Sequence, residues 1–136
     1  MADKTKPVGL HHVEIYVSNL EQTRQFYAWF LGILGYQEFQ SWDQGFSFLQ
    51  GSTYIVFVQT AAKYQDQNYH RCGTGLNHLA FWADSIEQVD QVKELLRDRG
   101  VKILYEDRHP AATETDHYAV FFEDPDRIKL ELVAPN

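Results

Sequence analysis

Apolar and polar residues alternate from Leu10 to Val17, with Val13, Ile15 and Val17 on one side and His12, Glu14 and Tyr16 on the other. That is the two-residue period of a strand. Ser18 or Asn19 then stands where a helix cap belongs, with Gln22 three residues after Asn19 as a partial capping box. Leu20, Phe26, Tyr27, Phe30 and Leu34 follow at helical spacing and predict one buried stripe. Three strands are predicted next, near residues 36–42, 45–49 and 53–59. The same order then returns. Leu79, Phe81 and Ala83 alternate with His78, Ala80 and Trp82; Ser85 caps and Gln88 closes the box; Ile86, Val89, Val92, Leu95 and Leu96 make the stripe. Strands follow near 102–106, 117–123 and 128–133, the last two joined by a tight turn at Asp124-Pro125-Asp126-Arg127.

The recurrence is visible residue by residue. Gly9-Leu10-His11-His12 lies over Gly75-Leu76-Asn77-His78, 66 positions on, and the same offset pairs Glu21-Gln22 with Glu87-Gln88. Gly35 and Gly100 close the two helices one position out of register. An offset held through a strand and the following helix marks two copies of one module. The copies are residues 8–60 and 74–134, with a polar, Tyr-rich linker at 61–73. The fold class is α+β, a βαβββ unit used twice. A four-stranded sheet with one helix leaves one sheet face uncovered. If the helix takes Val13, Ile15 and Val17, the open face carries His12, Glu14 and Tyr16 in one copy and His78, Ala80 and Trp82 in the other. Lys129, Glu131 and Val133 share a face of the last strand, and Ile55, Phe57 and Gln59 read as their counterparts in copy one. Were two such sheets to curl toward each other, His12, His78 and Glu131 would converge.

Composition narrows the chemistry. The 136 residues carry a net charge of −7 and are 44% hydrophobic, too apolar for a disordered chain and sufficient for a core. An acidic chain without a basic tract is a poor nucleic-acid partner. No apolar run approaches the roughly 18 residues of a membrane span. Met1 to Pro7 contains no apolar stretch like that of a signal peptide, so a cytoplasmic location is expected. Cys72 is the only cysteine against six histidines, which rules out a disulfide within one chain and points to nitrogen and oxygen ligands. Two neutral imidazoles and one carboxylate form a facial set for a divalent metal with open positions, where a substrate oxygen can be polarised.

Gly-Leu-x-His at the start of each copy, Phe26-Tyr27 with Leu34-Gly35, and the stretch Glu123-Asp124-Pro125-Asp126-Arg127-Ile128-Lys129-Leu130-Glu131 resemble the glyoxalase superfamily, the vicinal oxygen chelate proteins. The resemblance spans about residues 9–134. It implies curved mixed sheets forming a cup around Mn²⁺, Fe²⁺, Ni²⁺ or Zn²⁺ held by His12, His78 and Glu131. For chains of this length it also implies a homodimer in which His12 of one chain meets His78 and Glu131 of the other. The fourth ligand position, a second glutamate in glyoxalase I, is assigned to Phe57, which cannot ligate or accept a proton and so speaks against a glyoxalase I reaction. Three ligands resemble the fosfomycin-resistance branch and the extradiol dioxygenases. Fosfomycin itself is not expected: Glu14 would repel a phosphonate, Phe121 stands in place of a Tyr hydroxyl, and only five residues follow Glu131. Arg127 stands where the family usually has Gly, at a cost of about 1 kcal/mol if its φ is positive.

Glu14 reads as a general base or an additional ligand, or else as a cavity carboxylate paired with Lys129. Tyr16, Phe57, Gln59, Trp82, Phe121 and Lys129 are expected to line a pocket for a small-molecule substrate. His11 reads as structural, His117 as a solvated strand-end residue, and His70, Arg71 and Cys72 as structural linker residues. His109-Pro110 and residues 111–116 read equally as a lid or as a surface loop. Lyase, isomerase and thiol-transferase chemistries all fit. The alternatives are a metal-free ligand-binding protein like the bleomycin-resistance proteins, an Fe(II) extradiol-type dioxygenase, and a metal-binding relic with a structural or regulatory role.

Overall fold

The computed structural model describes residues 6–67, 69–108 and 117–136. The segment from His109 to Asp116, read above as a lid or surface loop, lies outside the described residues. The chain divides into two compact units, one up to Gln67 and one beyond it. The first runs β1 (His12–Val17), α1 (Leu20–Ile33), β2 (Gln37–Trp42), β3 (Gly45–Gln50) and β4 (Thr53–Gln59). Its sheet order is β1-β4-β3-β2, with β1 parallel to β4 and the other pairs antiparallel. The second runs β5 (Leu79–Trp82), α2 (Ile86–Asp98), β6 (Ile103–Leu104), β7 (Ala119–Glu123) and β8 (Lys129–Val133), in the order β5-β8-β7-β6 with the same pattern of directions. This is the expected α+β class: two mixed sheets, each with one helix.

The helix ends follow from the local sequence. Asn19 Oδ1 accepts the Gln22 N–H at 3.0 Å, and Ser85 Oγ accepts the Gln88 N–H at 3.1 Å. Gln88 reaches back to accept the Asp84 N–H at 2.8 Å. Each cap satisfies helix N–H groups that have no partner within the helix. At the other ends Gly35 and Gly100 adopt φ of +93° and +72°. The N–H groups of Tyr36 and Gly35 return to the carbonyls of Leu31 and Gly32, and those of Val101 and Gly100 to Leu96 and Arg97. Both helices therefore end in the same double-bonded left-handed cap.

The core of the first unit lies between α1 and its sheet. Tyr27, Phe30 and Leu31 are fully buried, and the Phe57 ring lies 4.2 Å from Tyr27 and 5.0 Å from Phe46. Phe57 is thus on the helix side of β4, which corrects its expected place on the open face. The pairing registers give the reason. Glu14 pairs with Val56, and Ala80, its repeat counterpart, pairs with Glu131. Val56, not Phe57, is the counterpart of Glu131. Gln59 shares the helix side with Phe57 and is also corrected: its Oε1 accepts the Leu20 N–H at 2.8 Å and its Nε2 donates to the Ser18 carbonyl at 2.8 Å. It braces the start of α1 rather than lining a pocket.

In the second unit α2 packs on β6 and β7, burying Val89, Val92 and Leu96. β6 is shorter than predicted because Tyr105 takes φ +56° and ends the strand. Arg127 has φ +66° in the turn before β8, where buried Asp124 accepts the N–H groups of Asp126 and Ile128 at 2.8 and 2.9 Å. The expected linker is tied at both ends: Gln65 donates to the Thr60 carbonyl at 3.0 Å, and Arg71 pairs with Glu123 at 2.7 Å. No helix among the described residues is long and apolar enough to cross a membrane.

A Cβ placed on Gly100 would meet nothing within 4 Å, so its backbone conformation alone sets the cost of substitution. Gly100→Ala is expected to lower unfolding stability by about 1–2 kcal/mol, read as a lowered urea midpoint at unchanged slope.

Candidate metal centre

In the first unit His12, Glu14 and Tyr16 occupy the exposed side of β1. The His12 ring stacks on Tyr54, with centroids 4.7 Å apart and planes 3° from parallel. Its Nδ1 lies 2.8 Å from Nδ1 of His11, and its Nε2 lies 3.7 Å from Glu14 Oε1. In the second unit His78 Nδ1 lies 2.6 Å from Asn77 Oδ1, and its Nε2 lies 3.0 Å from Glu131 Oε1. The two histidines are held alike. The residue just before each one engages Nδ1, and Nε2 faces a carboxylate. His11, read as structural, and Asn77 therefore do the same task at repeat-related positions.

The donor chemistry of the His78–Glu131 pair fits a cation. With Nδ1–H donated to Asn77, a neutral imidazole turns the Nε2 lone pair toward an acceptor oxygen. Two acceptors 3.0 Å apart repel unless a proton or a metal lies between them. Two ligands about 2.1 Å from one ion are about 3 Å apart when they subtend a right angle. Glu131 is 6% exposed, so its charge is screened little by water. Ring orientation fixed by a hydrogen bond at the non-ligating nitrogen is how metal-binding histidines are usually held.

Beside Glu131 the second unit forms a depression of about 320 Å³ lined by Ala80, Trp82, His117, Glu131 and Val133, among others. His117, expected to be a solvated strand-end residue, is part of that lining. Tyr118 beside it donates to Asp90 on α2 at 2.5 Å, a bond that holds the phenol pKa above its ordinary value. Phe121 meets the His78 ring edge-on at 5.8 Å between centroids. Lys129 is half-buried on the same face, its Nζ 3.0 Å from the Tyr105 hydroxyl. Trp82 and Tyr16, at matching repeat positions, are 75% and 73% exposed.

The structure thus brings His78, Glu131, Trp82, Phe121 and Lys129 onto one face of the second unit, and His12, Glu14 and Tyr16 onto one face of the first. Phe57 and Gln59 belong to neither. Among the described residues no group of three or more His, Cys, Asp or Glu side chains is assembled to hold a metal ion. Sequence reasoning missed Asn77, Tyr54 and Tyr105. Asn77 was accessible, since the repeat aligns it with His11. Tyr54 and Tyr105 carry no such signal.

A sequence profile described as the Glyoxalase/Bleomycin resistance protein/Dioxygenase superfamily matches residues 11–122. The uncharacterised protein YqjT of Bacillus subtilis is 54% identical over 127 residues, covering 93% of this chain and 99% of its own. A crystallised glyoxalase-like chain from Bacillus halodurans shares 57% identity at a TM-score of 0.90, over 93% of this chain and 95% of that one. A variant of the fosfomycin resistance protein FosX from Listeria monocytogenes, crystallised with Mn(II) and 1S,2S-dihydroxypropylphosphonic acid, aligns at a TM-score of 0.68 over 96% and 93% of the two chains. At 22% identity that likeness is one of fold.

The placement of Gln59 is directly testable. Gln59→Ala strips the α1 start of its brace and is expected to cost about 1–3 kcal/mol in chemical unfolding. Ligand or metal affinity measured by calorimetry should stay unchanged, whereas a pocket-lining role would show in that affinity.

Proposed function

Because the chain belongs to the glyoxalase/bleomycin resistance protein/dioxygenase superfamily, we propose that it is a divalent-metal-dependent enzyme acting on a small molecule whose vicinal oxygens chelate the ion. The reaction is of lyase, isomerase or thiol-transferase type. The observation that carries the reading is the 3.0 Å approach of His78 Nε2 to Glu131 Oε1, with Nδ1 already committed to Asn77. His12, held in the same way in the other unit, completes the set. By the family resemblance it comes from the second chain of a homodimer, which then has two equivalent sites.

When bound, Mn²⁺, Fe²⁺, Ni²⁺ or Zn²⁺ supplies Lewis acidity toward two substrate oxygens. The chain's own residues do the rest. Glu14, 3.7 Å from His12 Nε2, is the residue we assign to accept a proton from the carbon next to those oxygens. Trp82 and Val133 offer apolar surface to the body of the substrate and keep water from that side. Val56 at the counterpart position of Glu131 leaves the first unit without a second strand carboxylate, so a two-carboxylate proton relay is not part of the mechanism.

Mn²⁺ is the first ion to test, since the FosX neighbour was crystallised with Mn(II). Protein purified without chelator and then reconstituted should bind the ion stoichiometrically. His78→Ala should lose it, and Asn77→Ala should weaken it about 10–100-fold, both read by calorimetry and elemental analysis. A wild type that stays metal-free after reconstitution would sink the proposal in favour of metal-free ligand sequestration. Mixing His12→Ala with His78→Ala chains locates the sites: random pairing restores about a quarter of them if each site spans two chains, and none if each lies within one chain.

A further inference from the structure

Lys129 stands two residues before Glu131 on the same face of β8 and is half-buried. Its ammonium lies 4.9 Å from the ring centroid of Tyr105 and 5.0 Å from that of Phe121, and it donates to the Tyr105 hydroxyl at 3.0 Å. The carboxylates nearest in register are engaged elsewhere. Glu123, directly across the sheet from Lys129, takes Arg71 at 2.7 Å and Arg127 at 3.6 Å. Glu131 faces His78. Among the described residues no carboxylate lies within 4 Å of the Lys129 ammonium.

Aromatic faces attract a cation through their quadrupoles but carry no net charge, so the cradle positions the ammonium without neutralising it. Tyr105 holds its place at a φ of +56°, a left-handed conformation uncommon for a bulky residue and characteristic of sites where the surrounding structure dictates it. That turn ends β6 and sets the phenol against Lys129. A phenol that accepts a hydrogen bond from an ammonium keeps its own O–H as a donor. In the reading above Glu14 would act at the chelating end of the substrate, where the bound ion offsets its repulsion of anions.

We propose that Lys129, positioned by Tyr105 and Phe121, is an anion-recognition residue. The substrate is then a small oxyacid with chelating oxygens at one end and a second carboxylate at the other. This rests on the metal-chelation reading above. The backbones of Lys129 and Glu131 are one same-face strand step apart, about 7 Å, so the two subsites would be neighbours on one face.

The probes are 2-oxoglutarate and 2-oxopentanoate, which share a chelating 2-oxo acid head and differ in the distal carboxylate. Calorimetric titration of the full chain is run with saturating Mn²⁺ and separately with EDTA. Wild type should prefer the dicarboxylate about tenfold. Lys129→Met should erase that preference while leaving Mn²⁺ and 2-oxopentanoate affinities unchanged, and Lys129→Arg should retain it. Equal wild-type affinities for the two acids in both arms overturn the inference whether or not any variant folds. So does a Lys129→Met protein that loses both acids alike. If Mn²⁺ does not bind at all, the metal reading fails separately. The EDTA arm then decides: a Lys129-dependent preference for the dicarboxylate sustains the anion subsite, and none removes it.

Discussion

Phe57 seated 4.2 Å from Tyr27 settles which side of β4 meets the helix, and the rest of the first unit follows from that contact. Residues of a strand without a bulge alternate between faces, and β1 and β4 pair without a register shift. Once Phe57 and Ile55 point to α1, their register partners Ile15 and Val13 must do so too, and His12, Glu14 and Tyr16 are turned to the other side. In the second unit Leu130 and Leu132 are fully buried, and Glu131 between them is turned the opposite way, toward His78. The apolar packing of one helix per sheet is therefore what presents the polar groups. Burying a Phe or Leu is worth about 1.5–3 kcal/mol, enough to hold strand parity against the cost of grouping carboxylates and imidazoles on one face.

The two units share a scaffold and differ in what it displays. Both use the same helix caps at each end, and both hold a histidine through the residue before it. Where the second unit has Glu131, the first has Val56. Where the first has Glu14, the second has Ala80. The open face of the first unit carries Glu14 on β1, and that of the second carries Glu131 on β8 and Glu123 at the end of β7. Charge is distributed between the copies rather than duplicated. This gives the proposed chemistry a ligand carboxylate and a proton-accepting carboxylate of separate character.

The element order, both helix caps and the two histidine positions were legible in the sequence. They rest on short-range signals: alternation at Val13, Ile15 and Val17, side-chain oxygens at Asn19 and Ser85, and glycines free to take positive φ. The face of β4 was not legible. Ile55, Val56, Phe57 and Val58 are all apolar, so the strand carries no alternation from which parity can be read. The 66-residue offset is also lost before the last strands, because the second unit is longer between β6 and β7; Val56 and Glu131 are 75 apart. Gln59 was misplaced along with Phe57 for the same reason. Lys129 was read correctly as a residue of the open face. Its partner was not, because Tyr105 reaches it through a left-handed backbone turn that no local pattern announces.

The sheet orders β1-β4-β3-β2 and β5-β8-β7-β6 put β1, which His12 begins, and β5, which directly follows His78, at the margins of their sheets. Each is hydrogen-bonded to a neighbour on one side only within its own sheet. Outer strands are the first part of a sheet to open in native-state fluctuations, whereas Glu131 on β8 lies between two partners. The imidazoles therefore stand at sheet margins, and the carboxylate on an interior strand. An ion joining them would tie a fluctuating edge to a fixed interior strand, and amide exchange along β1 and β5 would slow as it bound. On the proposed reading, occupancy of the site and rigidity of the sheet margins would be one equilibrium.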